Sequence, residues 1–149
     1  MADEFDELEK EIAEAMKKVY NETVVDHGMH PRNMGKIPNP DGFGSATSPC
    51  GESMEIRLKA KNGRIADAFF WTDGCSTTAA CGSMATEIIK GEDVTQALAI
   101  SQNDILKALG GLPEMNRHCA QLAANAIKAA AMDYITMRKE PWKKAYRKC

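Results

Sequence analysis

Met54-Glu55-Ile56-Arg57-Leu58-Lys59-Ala60-Lys61-Asn62-Gly63-Arg64-Ile65-Ala66-Asp67-Ala68-Phe69-Phe70-Trp71 is the stretch that decides the fold. Met54, Ile56, Leu58 and Ala60 alternate with Glu55, Arg57 and Lys59, so a strand here has one apolar face and one wetted face. Asn62-Gly63 tolerates the positive φ angles of a type I′ turn, and the run from Ile65 to Trp71 returns as a second, antiparallel strand.

Downstream of the hairpin the periodicity changes from strand to helix. The run from Ser76 to Lys90 reads as a helix ended by Gly91, with Met84, Ile88 and Ile89 on its apolar side. Two shorter helices follow, one carrying Val94, Leu98 and Ile100, the other Ile105, Leu106 and Leu109, closing at Gly110-Gly111-Leu112-Pro113. A last long helix over about residues 119–139 places Ala120, Ala123, Ala124, Ile127, Ala130, Ala131 and Tyr134 at helical spacing, and its small residues permit close packing on a sheet. Upstream, Phe5, Leu8, Ile12, Met16 and Val19 predict an amphipathic helix over about residues 4–20. From Tyr20 to Pro49 the pattern lapses among Gly, Pro and Asn, which predicts a long irregular and mobile connection to Cys50. Strands gathered early and helices late give an α+β fold class, a small antiparallel hairpin-based sheet packed on one face by helices. No internal repeat is found. Residues 1–149 are expected to form one domain, with the N-terminal helix inside 1–20 and a basic C-terminal tail at 140–149.

With 149 residues and 44% apolar content, such a domain can fold without disulfides or metal. Its 19 basic and 21 acidic side chains leave a net charge of −2, which gives no electrostatic case for nucleic acid. The acidic start and the basic end read as solvated faces. No stretch reaches the ~20 apolar residues of a membrane span, and the acidic start lacks the order of a secretion signal. The expected location is cytoplasmic, away from membranes. There the five cysteines, an odd number, are expected as thiols, and their clustering is read as metal or sulfur chemistry.

Cys50 lies just before the first strand of the hairpin and Cys75 just after the second, so both belong to the same end of the sheet. Cys119, preceded by His118, opens the last helix and can converge on that pair. Cys75 and Cys119 each stand at a helix N-terminus, where unpaired N–H groups favour a thiolate below the ordinary value of ~8.5. Cys81 falls among small residues and reads as packing, whereas Cys149 reads as an incidental terminal thiol. The Cys-x-x-Cys pair of zinc ribbons and ferredoxins is absent. His27 and His30 read as loop residues rather than ligands, with Arg32 and Asn33 fixing the loop through backbone hydrogen bonds. Phe69, Phe70 and Trp71 read as core or partner contacts.

From Lys18 to Arg138 the chain resembles the IscU/NifU N-terminal type of iron–sulfur cluster assembly scaffold. The resemblance rests on Asp26-His27 with Pro31-Arg32-Asn33 and Gly35, then Cys50-Gly51-Glu52, then Asp73-Gly74-Cys75 with Thr86-Glu87-Ile88-Ile89-Lys90-Gly91, and last Leu112-Pro113 followed by His118-Cys119. It implies a SufE/NifU-like fold and a scaffold, not an enzyme. Such a scaffold takes sulfur from a cysteine desulfurase, combines it with iron and electrons from an iron donor or ferredoxin, and passes a [2Fe–2S] cluster to apo iron–sulfur recipient proteins. Carried over by position, Cys50, Cys75 and Cys119 are the sulfur ligands, His118 is a candidate fourth ligand, Glu52 is the carboxylate that ligates or releases the cluster, and Cys119 is the first persulfide acceptor. Two departures stand out. Glu52 occupies the usual place of Asp, which moves its oxygens outward by one methylene. Leu112-Pro113-Glu114-Met115-Asn116 replaces the Leu-Pro-Pro-Val-Lys segment of members that use a dedicated heat-shock chaperone pair. The short interval from Cys75 to His118-Cys119 resembles the IscU type more than the zinc-binding SufU type.

Ligand arithmetic fits this implication. A [2Fe–2S] unit has four terminal places, and three thiolates leave one for an exchangeable imidazole or carboxylate. An incoming thiol can displace that ligand and begin transfer. Zinc suits the same donors, which makes a zinc-binding sulfur-transfer accessory that activates a desulfurase the alternative. A Cys–His hydrolase is the third class considered. It is disfavoured because consecutive helical residues such as His118 and Cys119 are expected to diverge and no orienting group is evident.

Overall fold

The computed structural model describes residues 2–146. Asn62 and Gly63 adopt φ 54° and φ 81°, the doubly left-handed pair that a type I′ turn requires. Three strands, β1 (Gly42–Thr47), β2 (Ser53–Lys61) and β3 (Arg64–Thr72), form an antiparallel sheet in the order β1-β2-β3. Met54 pairs with Thr72, Ile56 with Phe70 and Leu58 with Ala68, and Met54, Ile56, Leu58, Ala68 and Phe70 are each fully buried. The alternation in the sequence is therefore the alternation of the core, except at Arg57, expected on the wetted face but only 6% exposed because the Phe43 ring and Glu55 cover it.

The helices are α1 (Ala2–Lys17), α2 (Glu22–Met29), α3 (Ser76–Ile89), α4 (Val94–Leu98), α5 (Gln102–Leu109) and α6 (Arg117–Lys139). α6 runs along β1 and β2 while α3 lies on β3, so helices cover one face of the sheet, as expected. The opposite face carries Arg57, which is ion-paired to Glu55 at 2.8 Å and lies 4.8 Å over the Phe43 ring, and Lys36 4.4 Å over Trp71. Of the three aromatic residues ending β3, only Phe70 is core.

Two elements occupy the expected irregular connection. β1 escapes a search for alternation because its inward positions are Gly42 and Gly44. A Cβ at Gly44 would stand 2.2 Å from the backbone nitrogen of Ala130. The backbone of α6 fills the place where apolar side chains would have betrayed a strand. α2 is short, and its start is fixed by the Asn21 side chain, which accepts from the Val24 N–H at 3.0 Å. Between them, Asn33 and Gly35 exchange backbone bonds with Phe70 at 2.9 and 2.8 Å, covering part of the β3 edge. The Asn33 amide also donates to Thr86 Oγ1 and Glu87 Oε1, both at 3.0 Å, so its side chain anchors the loop as well as its backbone. Arg32 contributes an ion pair with Asp26 at 2.7 Å and its own N–H to Ser83 Oγ.

The helix with the clearest apolar stripe is the least buried. Phe5, Leu8, Ile12 and Val19 remain 73%, 52%, 42% and 60% exposed, because α1 packs mainly on α2. α3 shows the reverse. Its buried surface is mostly Thr, Ala, Ser, Gly and Cys81, a composition that carries little hydrophobic periodicity. Cys81 is fully buried in the core, and Cys149 lies outside the described residues.

Candidate metal centre

The hairpin brings its two flanking loops to one end of the sheet and pins them there. Thr72 Oγ1 donates to the Ser53 carbonyl at 2.7 Å, and the Ser53 N–H donates to Asp73 Oδ1 at 2.8 Å. Glu52 and Cys75 flank this clasp. Cys50 sits in the tight β1–β2 turn, where the Ser48 N–H meets the Glu52 carbonyl at 2.8 Å and Gly51 takes φ 89°. The approach to Cys50 is thus a strand and a turn, not the irregular connection expected.

At this end the ligand atoms of Glu52, His118 and Cys119 all lie within 4.8 Å of one another. His118 and Cys119 belong to the first turn of α6, and His118 Nε2 lies 3.7 Å from Cys119 Sγ. The expected divergence of these neighbours is not found. Thr78, one turn into α3, joins the cluster: its Oγ1 is 2.8 Å from Glu52 Oε2, 3.4 Å from Cys119 Sγ and 3.6 Å from Cys75 Sγ. Cys75 is the N-cap residue of α3 and is exposed. Cys50 is exposed at the turn, outside the close trio, and close enough that a thiolate there disfavours ionisation of Cys119.

The thiols differ in acidity. Burial pushes Cys75 up, but the Thr78 N–H, the Thr78 hydroxyl and the Thr77 N–H outweigh it, and the net pKa falls below 9.0. Burial pushes Cys119 up to about 11 against the help of the Thr78 hydroxyl, and negative charge at Glu52, Cys75 and Cys50 adds to the rise. Cys81, deeper still, is raised well above 9.0, chiefly by burial. The expectation of a lowered pKa thus holds at Cys75 and reverses at Cys119, where the side chain is 1% exposed. A covered thiol held protonated offers no nucleophile in this conformation, which counts against the hydrolase reading.

His27 is no ligand of this centre: its Nδ1 lies 2.7 Å from Ser83 Oγ in the core between α2 and α3. His30 caps α2 from the exposed side.

Comparison with known proteins decides what kind of chain this is. The family described as the NifU-like N terminal domain matches residues 19–141. The chain belongs to this NifU-like family. Among its relatives, the iron–sulfur cluster assembly scaffold protein IscU 1 of Archaeoglobus fulgidus is 45% identical over 118 residues, covering 78% of this chain and 77% of that one. The IscU scaffold protein of Escherichia coli K12 is 42% identical over 124 residues, covering 80% and 96%. Among solved structures, a NifU-like N-terminal protein from Brucella abortus is similar in fold, with a TM-score of 0.58 at 17% identity over 84% of this chain and 98% of that one. In this NifU-like chain the converging donor atoms of Glu52, His118 and Cys119 lie where the hairpin ends meet α6. Thr78 is the residue of the centre that the sequence reading passed over. The usable signal was its position three residues beyond an N-cap cysteine, where a helix returns a side chain toward its own start.

Proposed function

We propose that this protein is a scaffold on which a labile [2Fe–2S] cluster is assembled from desulfurase-derived sulfur and iron and then transferred to apo-proteins. The observation that carries the reading is the convergence of Glu52, His118 and Cys119, with Cys75 tied to them through Thr78. Membership of the NifU-like family and the scaffold names of its relatives support it. Cys50, Cys75 and Cys119 are the sulfur ligands, and Glu52 and His118 compete for the fourth place. One covered thiol and two exposed thiols leave the outer ligands open to exchange, which suits a cluster that is cargo. The role is assembly and hand-over rather than turnover of a substrate.

Sulfur arrives when a scaffold thiolate attacks the terminal sulfur of the desulfurase persulfide. The S–S bond breaks and the desulfurase thiolate leaves. In this conformation Cys75 meets both requirements, exposure and a lowered pKa. Cys119, the acceptor that the family resemblance implies, must first be uncovered and lose its proton, for which His118 Nε2 stands 3.7 Å away. Partners are therefore a cysteine desulfurase, an iron donor or ferredoxin, and apo iron–sulfur recipients. A cytoplasmic location fits the thiol chemistry, and no helix among the described residues is long and apolar enough to cross a membrane.

Anaerobic reconstitution with ferrous iron, cysteine, a desulfurase and a thiol reductant tests the proposal. Visible absorption should grow with sulfur supply, disappear in Cys50→Ser, Cys75→Ser or Cys119→Ser, and move to apo-ferredoxin when it is added. A colourless protein that retains zinc and only accelerates the desulfurase would overturn it in favour of a zinc-bound accessory.

A further inference from the structure

Thr78 is fully buried, yet its hydroxyl faces a carboxylate and two thiols of the candidate centre. A hydroxyl has one proton to give. Its shortest contact, 2.8 Å, is to Glu52 Oε2, a group that can only accept when ionised, and such charge-assisted bonds are the strong ones. The sulfurs of Cys119 at 3.4 Å and Cys75 at 3.6 Å stand around the same oxygen. Its orientation is fixed from behind. A Cβ on Gly74 would lie 2.8 Å from both Thr78 Cβ and Oγ1, so the glycine of Asp73-Gly74-Cys75 is the space into which Thr78 fits.

Glu52 needs such an anchor. Glutamate has several torsions before its oxygens, and a half-exposed glutamate on a turn would otherwise sample many positions. We propose that Thr78 is the positioning residue of the centre: its hydroxyl holds the Glu52 carboxylate beside Cys119 and His118, where an arriving metal ion meets all three. Once metal binds and a thiol becomes a thiolate, the same proton can turn to sulfur and free the carboxylate. Thr78 acts through its neighbours and touches no metal itself. The inference rests on the metal-centre reading above, and its test separates the two.

The probe is Co²⁺ alone, titrated anaerobically into the whole apo-protein. Sulfur-to-cobalt charge-transfer absorption reports thiolate ligation, and competition with a chromogenic chelator reports affinity. Thr78→Val removes the hydroxyl at nearly constant volume and should weaken Co²⁺ binding about 10–100-fold, the range for a lost partner of a ligand. Thr78→Ser against Thr78→Ala makes the same comparison without a new buried methyl, and only the serine should retain affinity. In Glu52→Ala, Thr78→Val should cost clearly less than in the parent, because only the hydroxyl's longer contacts to sulfur are left to lose. Packing alone would lower the melting temperature without this coupling. Parental affinity in Thr78→Val, equal affinities in the Ser and Ala variants, or a full additional loss in the Glu52→Ala background each overturn the proposal. If Cys75→Ser and Cys119→Ser abolish charge transfer while Thr78→Val binds normally, only Thr78's role falls. If the cysteine variants bind cobalt as the parent does, the metal-centre reading fails and takes this proposal with it.

Discussion

The start of α3 and the start of α6 each present a cysteine to the same end of the sheet, and they treat it in opposite ways. Cys75 lies at the N-cap, exposed, with the Thr77 and Thr78 N–H groups and the Thr78 hydroxyl beside it, and its pKa falls. Cys119 lies within the first turn and 1% exposed, and burial carries its pKa to about 11. The helix N-terminus is common to both, so it does not decide the outcome. Dehydration of the thiolate does, wherever the sulfur is covered.

The largest consequence is a difference in reactivity. At pH 7–8 in metal-free protein, iodoacetamide should modify Cys75 well ahead of Cys119. A pKa of about 11 against the ordinary 9.0 lowers the thiolate fraction about 100-fold, and the greater nucleophilicity of a more basic thiolate returns about 10-fold. A net deficit of at least ~10-fold remains, and the lack of access deepens it. Peptide mass spectrometry of a timed reaction measures the ratio, and equal labelling breaks the comparison.

Thr78 sharpens it, because its hydroxyl favours ionisation at both sulfurs. Thr78→Val should move the pH profile of Cys75 alkylation upward and slow the reaction a few-fold at pH 7. The Thr77 and Thr78 N–H groups remain, so Cys75 should still lead Cys119. A profile that does not move would mean that the backbone alone activates Cys75.

How much of this could be read before folding depends on what the side chains carry. The hairpin was legible because Met54, Ile56 and Leu58 are large, and Asn62-Gly63 names its own turn. β1 was not, since Gly42 and Gly44 show no hydrophobicity and their function is to admit the α6 backbone. α1 announced its apolar stripe, yet periodicity reports a face and not what covers it. In the centre, the positions of Cys50, Cys75, Cys119, His118 and Glu52 could be listed from spacing and resemblance. The acidity of Cys119 could not, because burial at the start of α6 is made by residues distant in sequence. Thr78 was hidden among small residues of a helix whose burial only the fold reveals.

A smaller effect of the same burial appears in alkaline stability. Unfolded, the Cys119 thiol ionises near 9.0; folded, near 11. Between these values the unfolded chain has lost a proton that the folded chain keeps, so the thiol's contribution declines as pH rises from about 9 to about 11. Urea melts should show a flatter decline in this window for Cys119→Ala. Cys81 adds a loss of the same sign to both proteins. Identical slopes would mean that Cys119 is hydrated in solution.

Burial should act with the opposite sign on a base, and His27 provides that check. Burial lowers its pKa below 6.5, and the Arg32 charge adds to the fall against Asp26 and Glu87. Ser83 Oγ accepts the Arg32 N–H at 2.9 Å, which leaves its hydroxyl proton free to point at His27 Nδ1, 2.7 Å away. The neutral ring is the form that fits. As pH falls below about 6.5 the unfolded chain takes up a proton that the folded chain refuses. The His27 contribution is therefore complete above that value and is lost progressively toward the folded pKa. His27→Gln should lose about 1–3 kcal/mol at pH 7, the cost of disturbing a buried hydrogen bond, and should soften the acid slope below pH 6.5. Denaturant melts at several pH values measure both. If the slope is unchanged while the pH 7 stability drops, His27 holds α2 to α3 by packing and the burial that governs Cys119 does not reach this base.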